Sequence, residues 1–232
     1  MGNKKILIFH TSVGLGHKSM AENIAAQLIE AGLEVKLADI GHVQQGGFSK
    51  VVVAVHQFIN RRLPFIWAWL YFWGHYVIYP FRVFIARFNS RKLKKLILEY
   101  QPDLIISTQT TSSAVVSYLK RAGVYNKLFG IAFSDYHLHP YWLYSQADFY
   151  LANIVEQKSE MIQRGIPADK IFVCGMTLKS KLAVDVNSIK QKLNIKPEEQ
   201  VILVDSGSLG TGFKEQLLHQ LSKIANTKVL VV

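Results

Sequence analysis

The spacing of apolar positions changes near the start of the chain. The run from Ile6 to Phe9 is short and continuous, which is typical of a strand buried in a parallel sheet. After a polar, glycine-containing loop at residues 11–19, apolar residues recur at helical spacing from Met20 to Ile29. Strand, glycine loop and helix in this order form the first turn of a doubly wound α/β domain.

The same alternation of short apolar runs and helical patterns continues along the chain. Further strands are predicted at residues 34–40, 104–107, 127–134, 148–152 and 171–173. Helices are predicted to end at Tyr100 and to cover residues 114–121 and 155–164, and residues 108–113 are predicted to form a polar turn. This βα alternation is typical of a parallel sheet with helices on both faces, so the predicted fold class is α/β.

A second unit is predicted after a linker at residues 175–187. Its elements are a short helix, a strand, a second glycine loop, a helix and a strand, at residues 189–193, 201–204, 206–212, 213–225 and 228–232. One βαβ unit is too little for a domain of ordinary size. We therefore predict a Rossmann-like domain at residues 1–178 and the incomplete beginning of a second Rossmann-like domain at residues 187–232.

Positive charge is concentrated in the first part of the chain. Of the net charge of +11, residues 1–130 contribute 16 Lys/Arg against six Asp/Glu. Between Asp39 and Glu99 there are nine Lys/Arg and no acidic residue, and 13 of the 27 aromatic residues fall there. Basic and aromatic residues together are typical of a segment that lies on an anionic membrane surface. We predict such a contact for an insertion at about residues 48–95, with Trp67, Trp69 and Trp73 as lipid-contacting residues.

Three other interpretations of this insertion remain open. Leu63 to Phe81 contains 19 residues without a formal charge, which is long enough to span a bilayer. Two prolines, His75 and rings distributed along the whole segment favour the membrane surface instead. A buried aromatic hairpin with a solvated basic edge is the plain structural alternative. A nucleic-acid surface would fit the charge, but no recognition motif accompanies it.

The chain has a single cysteine, Cys174, so an internal disulfide is excluded. This fits a reducing compartment. The N-terminus leads from Lys4 and Lys5 directly into a strand, without a secretory apolar region. Together with the predicted membrane contact, this leads us to expect a peripheral protein on the cytoplasmic face of a membrane.

The first glycine loop contains a candidate catalytic residue. Gly14 and Gly16 allow a sharp turn and a close approach of the backbone to a ligand, and the following helix start presents free N–H groups. His17 is not needed to bind a nucleotide, but a transferase that removes a proton from a hydroxyl needs such a base. The alternatives are a dinucleotide loop with Asp39 on the ribose, in which Ser19 replaces the third glycine, or a simple turn.

A second polar cluster follows the strand predicted at residues 127–134. It therefore belongs to the carboxyl end of the sheet, where open α/β sheets bind ligands. Asp135, His139, Pro140 and Trp142 are its candidate site residues, and we interpret its other polar residues, His137 and Tyr141, as ordinary loop residues.

Three motifs, in this order and spacing, carry a resemblance to a known family. They are Ser12-x-Gly14-x-Gly16-His17-x-x-x-Ala21, Ser134-Asp135-x-x-x-His139-Pro140-x-Trp142 and Gly165-Ile166-Pro167-x-x-Lys170-Ile171-x-Val173-x-Gly175-Met176. Across about 170 residues, the sequence resembles the monogalactosyldiacylglycerol synthase and processive diacylglycerol glucosyltransferase family.

The resemblance implies a GT-B fold of two facing Rossmann-like domains and inverting transfer of a hexose from a UDP-sugar to diacylglycerol. It implies no metal and no cofactor beyond the UDP-sugar. His17 would be the base, and Asp135 would orient the site or balance its charge. Gly14, Gly16, His139, Pro140 and Trp142 would contact the acceptor or an anionic lipid. Gly207, Ser208 and Gly210 would bind the donor diphosphate.

Other functions remain open at this point. They are a peptidoglycan-precursor N-acetylglucosaminyltransferase, a non-catalytic lipid-surface binding module and a dehydrogenase. Because the later part of the donor domain does not occur in these 232 residues, we expect negligible transfer by this chain alone.

Overall fold

In the computed structural model, the chain forms two units, Met1–Leu178 and Lys179–Val232. Six parallel strands form one sheet in the first unit. The structure describes residues 4–12, 15–43, 58–59, 62–63, 65–66, 69, 82–177, 185–205 and 215–232.

The strands of the first unit are β1 (Lys5–His10), β2 (Glu34–Asp39), β3 (Leu104–Ser107), β4 (Leu128–Ala132), β5 (Phe149–Ala152) and β6 (Ile171–Val173). Their order in the sheet is β2-β1-β3-β4-β5-β6, and every neighbouring pair is parallel. The predicted α/β class with a parallel sheet is confirmed. β4 ends at Ala132 instead of the predicted Ser134, which leaves Ser134 in the loop after the strand.

The helices of this unit are α1 (Leu15–Glu30), α2 (Ile40–Val43), α3 (Arg82–Tyr100), α4 (Thr110–Arg121) and α5 (Val155–Gln163). Short 3₁₀ turns cover Pro140–Trp142 and Ala168–Lys170. Among the helices of the described ranges, none has both the length and the apolarity needed to cross a membrane.

Helix α4 begins earlier than its sequence predicts. Residues 108–113 were expected to form a turn, but the helix starts at Thr110. The side chain of Gln109 accepts hydrogen bonds from the backbone N–H groups of Thr111 and Ser112, at 2.7 and 3.1 Å. This satisfies donors that a helix start otherwise leaves open, so hydroxyl residues that usually favour turns are accommodated in the first helical turn.

The sheet has an apolar layer on each face. Because successive strand residues point to opposite sides, Ile6 and Ile8 pack with the buried face of α1, whereas Leu7 and Phe9 lie in the larger cluster. That larger cluster includes buried residues of α3 and α4. Helices cover both faces, so the carboxyl ends of the strands form the edge at which polar side chains collect.

The second unit contains α6 (Val186–Lys192), β7 (Gln200–Val204), α7 (Glu215–Leu221) and β8 (Thr227–Val231), with β7 and β8 parallel. Helix α6 starts before the predicted residue 189 because Asp185 caps it: its carboxylate accepts from the N–H of Asn187 at 3.0 Å. The predicted second glycine loop lies outside the described residues.

Candidate functional site

Polar residues that follow β1, β3 and β4 meet at the carboxyl edge of the sheet. His17 lies in the first turn of α1, Thr108 directly follows β3, and Ser134 lies in the loop after β4. The strands β1, β3 and β4 are neighbours in the sheet, so three distant parts of the sequence converge at one place.

Thr108 joins the start of α1 to the end of β1. Its backbone N–H donates to the carbonyl of Phe9 at 3.0 Å. Its hydroxyl lies 3.2 Å from the same carbonyl and 3.0 Å from the carbonyl of His17. Thr108 is fully buried, and such contacts are stronger in a low-dielectric interior than in water. The hydroxyl of Thr108, at the end of the neighbouring strand β3, therefore fixes the backbone of His17.

The imidazole of His17 has two partners at one nitrogen. Its Nδ1 lies 2.5 Å from the backbone oxygen of Thr108 and 2.8 Å from Oγ of Ser134. A carbonyl oxygen only accepts hydrogen bonds, so we assign the proton of the neutral ring to Nδ1. The lone pair is then on Nε2, which is the nitrogen able to accept a proton.

Trp142 packs beside this histidine. The ring centroids of His17 and Trp142 are 6.1 Å apart, and Phe133 lies 5.3 Å from Trp142 on the same measure. Trp142 is only 4% exposed. Its ring therefore restricts the position of the imidazole and offers little surface to a ligand.

The other described site residues surround this group. Asp135 directly follows Ser134 and is exposed, and Gly16 directly precedes His17 in α1. His139 is half-buried with its ring 4.7 Å from that of Tyr141, and Pro140 begins the turn that contains Trp142.

Trp69 is 57% exposed. The remaining predicted residues lie outside the described residues: Gly14, Trp67, Trp73, Gly207, Ser208 and Gly210.

Two residues of the site were not predicted from the sequence. Ser134 was placed at the end of a predicted strand and in the second motif but was given no role, and Thr108 was assigned to a polar turn. Each is close to the point where an apolar strand ends, and that position on adjacent parallel strands is a signal for a shared edge. Their contact with His17 could not be read from spacing, because it spans 91 positions for Thr108 and 117 for Ser134.

Asp39 does not have the environment of a ribose-binding acid. The hydroxyl of Ser12 donates to its Oδ2, and the backbone N–H of Gly41 donates to its Oδ1 at 2.8 Å. One carboxylate oxygen thus accepts from the Ser12 side chain and the other from a backbone N–H two residues away, which weakens the dinucleotide interpretation. Within the described ranges, no group of three or more His, Cys, Asp or Glu side chains could hold a metal ion.

The sequence profile of the monogalactosyldiacylglycerol (MGDG) synthase family matches residues 17–178. The chain belongs to this family. The match begins at His17 and includes Thr108, Ser134 and Trp142, so the whole group described above falls within the MGDG synthase region. The resemblance drawn from the three motifs is confirmed.

The chain is also similar to a curated protein, the processive diacylglycerol beta-glucosyltransferase of Staphylococcus aureus. The two are 29% identical over a region that covers 99% of this chain and 60% of the S. aureus protein. The chain thus spans about 60% of the length of the curated relatives it matches.

Two solved structures share the fold. The S. aureus MnaA–UDP structure has a TM-score of 0.56 and 14% identity, over 98% of this chain and 61% of that one. The lipopolysaccharide outer core galactosyltransferase WaaB has a TM-score of 0.50 and 14% identity, over 98% and 60%. These similarities support the Rossmann-like first domain of a GT-B fold.

Proposed function

We propose that this chain is the acceptor-side part of a glycosyltransferase that moves a hexose from a UDP-sugar to diacylglycerol. The observation that carries the proposal is the His17 imidazole at the carboxyl edge of the sheet, with its proton held on Nδ1 and its lone pair on Nε2. Membership of the MGDG synthase family and the name of the S. aureus relative support the substrate classes.

In the proposed reaction, the hydroxyl oxygen of diacylglycerol attacks the anomeric carbon of the sugar. The new carbon–oxygen bond forms as the bond to the diphosphate breaks, with inversion, and UDP leaves with the bonding electrons. Nε2 of His17 takes the hydroxyl proton and the ring becomes an imidazolium. Its Nδ1–H remains bonded to the Thr108 oxygen throughout, so the ring does not need to reorient.

The remaining site residues have supporting roles in this proposal. The exposed carboxylate of Asp135 balances the positive charge that develops on His17. His139 and Pro140 line the acceptor entrance beside Trp142, and Gly16 gives the acceptor close access to the backbone. The loop with Gly207, Ser208 and Gly210 binds the donor diphosphate, because the start of a helix favours an anion.

We further propose that the protein works on an anionic membrane surface on the cytoplasmic side. Three large side chains of the insertion are well exposed: Phe58, Phe65 and Trp69. Helix α3 adds charge, because Ala86, Leu93 and Ile97 are buried on one face, whereas Arg91, Lys94 and Lys95 are exposed. Exposed rings and cations together favour a surface of anionic lipid.

The test uses the complete gene product that contains this sequence, on vesicles of diacylglycerol and anionic phospholipid. UDP-glucose, UDP-galactose and UDP-N-acetylglucosamine are supplied separately, the last also with a polyprenyl acceptor, and the glycolipid product is quantified. We expect His17→Gln to lower the rate by about 10²–10⁴-fold, the usual contribution of a general base. His219→Gln in helix α7 of the second unit is the matched control and should retain the rate.

Other outcomes would assign another function. An unchanged rate in His17→Gln contradicts the proposed base. Transfer only from UDP-N-acetylglucosamine to a polyprenyl acceptor favours the peptidoglycan-precursor enzyme. Vesicle binding without transfer from any of these donors favours a non-catalytic lipid-binding module, and tight binding of NADH favours a dehydrogenase.

A further inference from the structure

Two buried amide side chains lie behind the loop that carries Ser134. Asn153 is the first residue after β5 and is 5% exposed. Gln157 lies in the first turn of α5 and is 2% exposed. Neither forms a hydrogen bond with His17 in the described part of the chain, and the proposed reaction uses neither of them. Buried amides carry a desolvation cost unless they are hydrogen-bonded, so their contacts indicate what they hold in place.

The two amides bind the backbone on both sides of Ser134. Nδ2 of Asn153 donates to the carbonyls of Phe133 and Asp135, each at 2.9 Å. Nε2 of Gln157 donates to the Asp135 carbonyl at 3.1 Å. Because these carbonyls only accept, both amide orientations are determined.

The amides are also coupled to each other. Oε1 of Gln157 accepts from the backbone N–H of Asn153 at 2.8 Å. The first turn of α5 therefore fixes the residue after β5, and that residue fixes the loop after β4. The carbonyls of Phe133 and Asp135, the residues on either side of Ser134, are both held, so the backbone that carries the Ser134 hydroxyl is fixed beside Nδ1 of His17.

We propose that Asn153 and Gln157 are positioning residues that act through Ser134 on the tautomer of His17. By fixing the loop they keep Oγ of Ser134 within 2.8 Å of Nδ1, so the Nδ1–H has a second acceptor besides the Thr108 carbonyl. The polar row at the carboxyl edge then extends over the ends of four adjacent strands, β1, β3, β4 and β5. A role of this row in catalysis rests on the proposed function, whereas its effect on the His17 tautomer does not.

The experiment measures the His17 tautomer directly by long-range ¹H–¹⁵N NMR on the 232-residue chain, with no substrate present. The variants are Asn153→Asp and Gln157→Glu, which conserve volume and replace the donating NH₂ group by a carboxyl oxygen, and Ser134→Ala. In each we expect the ratio of Nδ1–H to Nε2–H tautomer to fall by about fivefold, the factor that one net hydrogen bond of about 1 kcal/mol represents.

A double variant distinguishes a positioning effect on the His17 tautomer from a general loss of stability. If Gln157 acts through Ser134, the double variant Gln157→Glu/Ser134→Ala should shift the tautomer ratio no further than Ser134→Ala alone. Asn23→Asp is the matched control: Asn23 is equally buried and its Nδ2 donates to the Thr177 carbonyl at 2.8 Å, away from the Ser134 loop. It should lower stability and leave the ratio unchanged.

An activity measurement on the complete gene product adds a second readout. We expect Gln157→Glu to lower kcat by about tenfold with an unchanged KM for the UDP-sugar, because a misplaced base affects the reaction and not donor binding. An unchanged tautomer ratio in all three folded single variants overturns the inference. A shifted ratio in a protein that transfers no sugar supports the positioning role and contradicts only the proposed function.

Discussion

The backbone oxygen of Thr108 lies 2.5 Å from Nδ1 of His17, although the two residues are 91 positions apart. A backbone acceptor persists through every side-chain substitution at position 108, so the proton on Nδ1 does not depend on the identity of that residue. The side chain of Thr108 has a different task, because its hydroxyl contacts the carbonyls of Phe9 and His17.

Thr108→Val should therefore lower the stability of the fold without changing the tautomer of His17. The substitution keeps the side-chain volume and removes, in a fully buried position, the one hydroxyl proton that the carbonyls of Phe9 and His17 share. We expect the free energy of unfolding to fall by about 0.5–1.5 kcal/mol, the net contribution of one hydrogen bond. Urea unfolding measures this change, and NMR should show His17 still protonated on Nδ1.

Thr110→Val at the start of α4 is the control for the change of residue type. Thr110 is half-buried and begins the helix, so its replacement should alter stability much less. Equal losses in the two variants would contradict the linking role of the Thr108 hydroxyl.

Gly130 in the middle of β4 should not tolerate a larger residue. A Cβ placed there would overlap the ring carbon Cζ of Phe149 on β5. Gly130→Ala must displace that ring and disturb its edge contact with Phe172, so we expect a loss of about 1–3 kcal/mol in unfolding free energy. Adding Phe149→Leu should recover part of the loss, and a double variant less stable than the sum of both single changes would contradict this explanation.

His10 at the end of β1 should make the fold sensitive to acid. Burial lowers the pKa of His10 below its ordinary value, and the nearby Asp39 carboxylate opposes this only in part. The unfolded chain therefore binds more protons below about pH 6.5. Stability is fully present above that pH and is lost as the pH falls toward the folded pKa. Urea unfolding midpoints between pH 5 and pH 8 measure this loss.

The contribution of His10 is isolated by substitution. In His10→Gln, the part of the pH dependence that comes from this imidazole should disappear, whatever the change in absolute stability. His219→Gln on the exposed helix α7 replaces an imidazole in the same way and should keep the dependence. An unchanged slope in His10→Gln would show that other groups cause the acid sensitivity.

The exposed cations of α3 should contribute to membrane binding. Replacing Arg91, Lys94 and Lys95 by Gln removes three positive charges that lie outside the core. At about 1 kcal/mol per charge near anionic lipid, we expect binding to anionic vesicles to weaken by about a hundredfold at low salt. Vesicle co-sedimentation at several salt concentrations measures the change.

The matched control removes the same charge elsewhere. Lys190, Lys192 and Lys196 are exposed in the second unit, and their replacement by Gln should leave vesicle binding nearly unchanged. Similar losses in both triple variants would mean that net charge, and not the α3 surface, determines the affinity.

The sheet could be predicted because its signals are local. Apolar runs such as Ile6–Phe9 and Leu104–Ile106 identify buried strands, and the helical spacing after His17 identifies α1. The position of His17 at the carboxyl edge follows from strand, loop and helix order alone. The boundaries were less accurate where side chains cap a helix, as Gln109 and Asp185 do.

The internal order of the site could not be predicted, because its contacts are long-range. Ser134 meets His17 over 117 positions, and Asn153 binds the Phe133 carbonyl over 20. Hydroxyl and amide side chains show no periodic sequence pattern from which their long-range hydrogen-bond partners could be predicted. Asp135 is the more conspicuous residue by its charge, yet its neighbour Ser134 is the one that reaches the imidazole.

The carbonyl of Thr108 directly follows β3, whereas His17 lies in the helix after β1, and this has a consequence for protein engineering. Grafting the glycine loop and its helix onto another Rossmann scaffold would transplant the histidine without the acceptor that selects its tautomer. A donor segment for such a chimera must also bring the ends of the next two strands, since the Nδ1 contacts of the proposed base come from the assembled edge and not from any contiguous peptide.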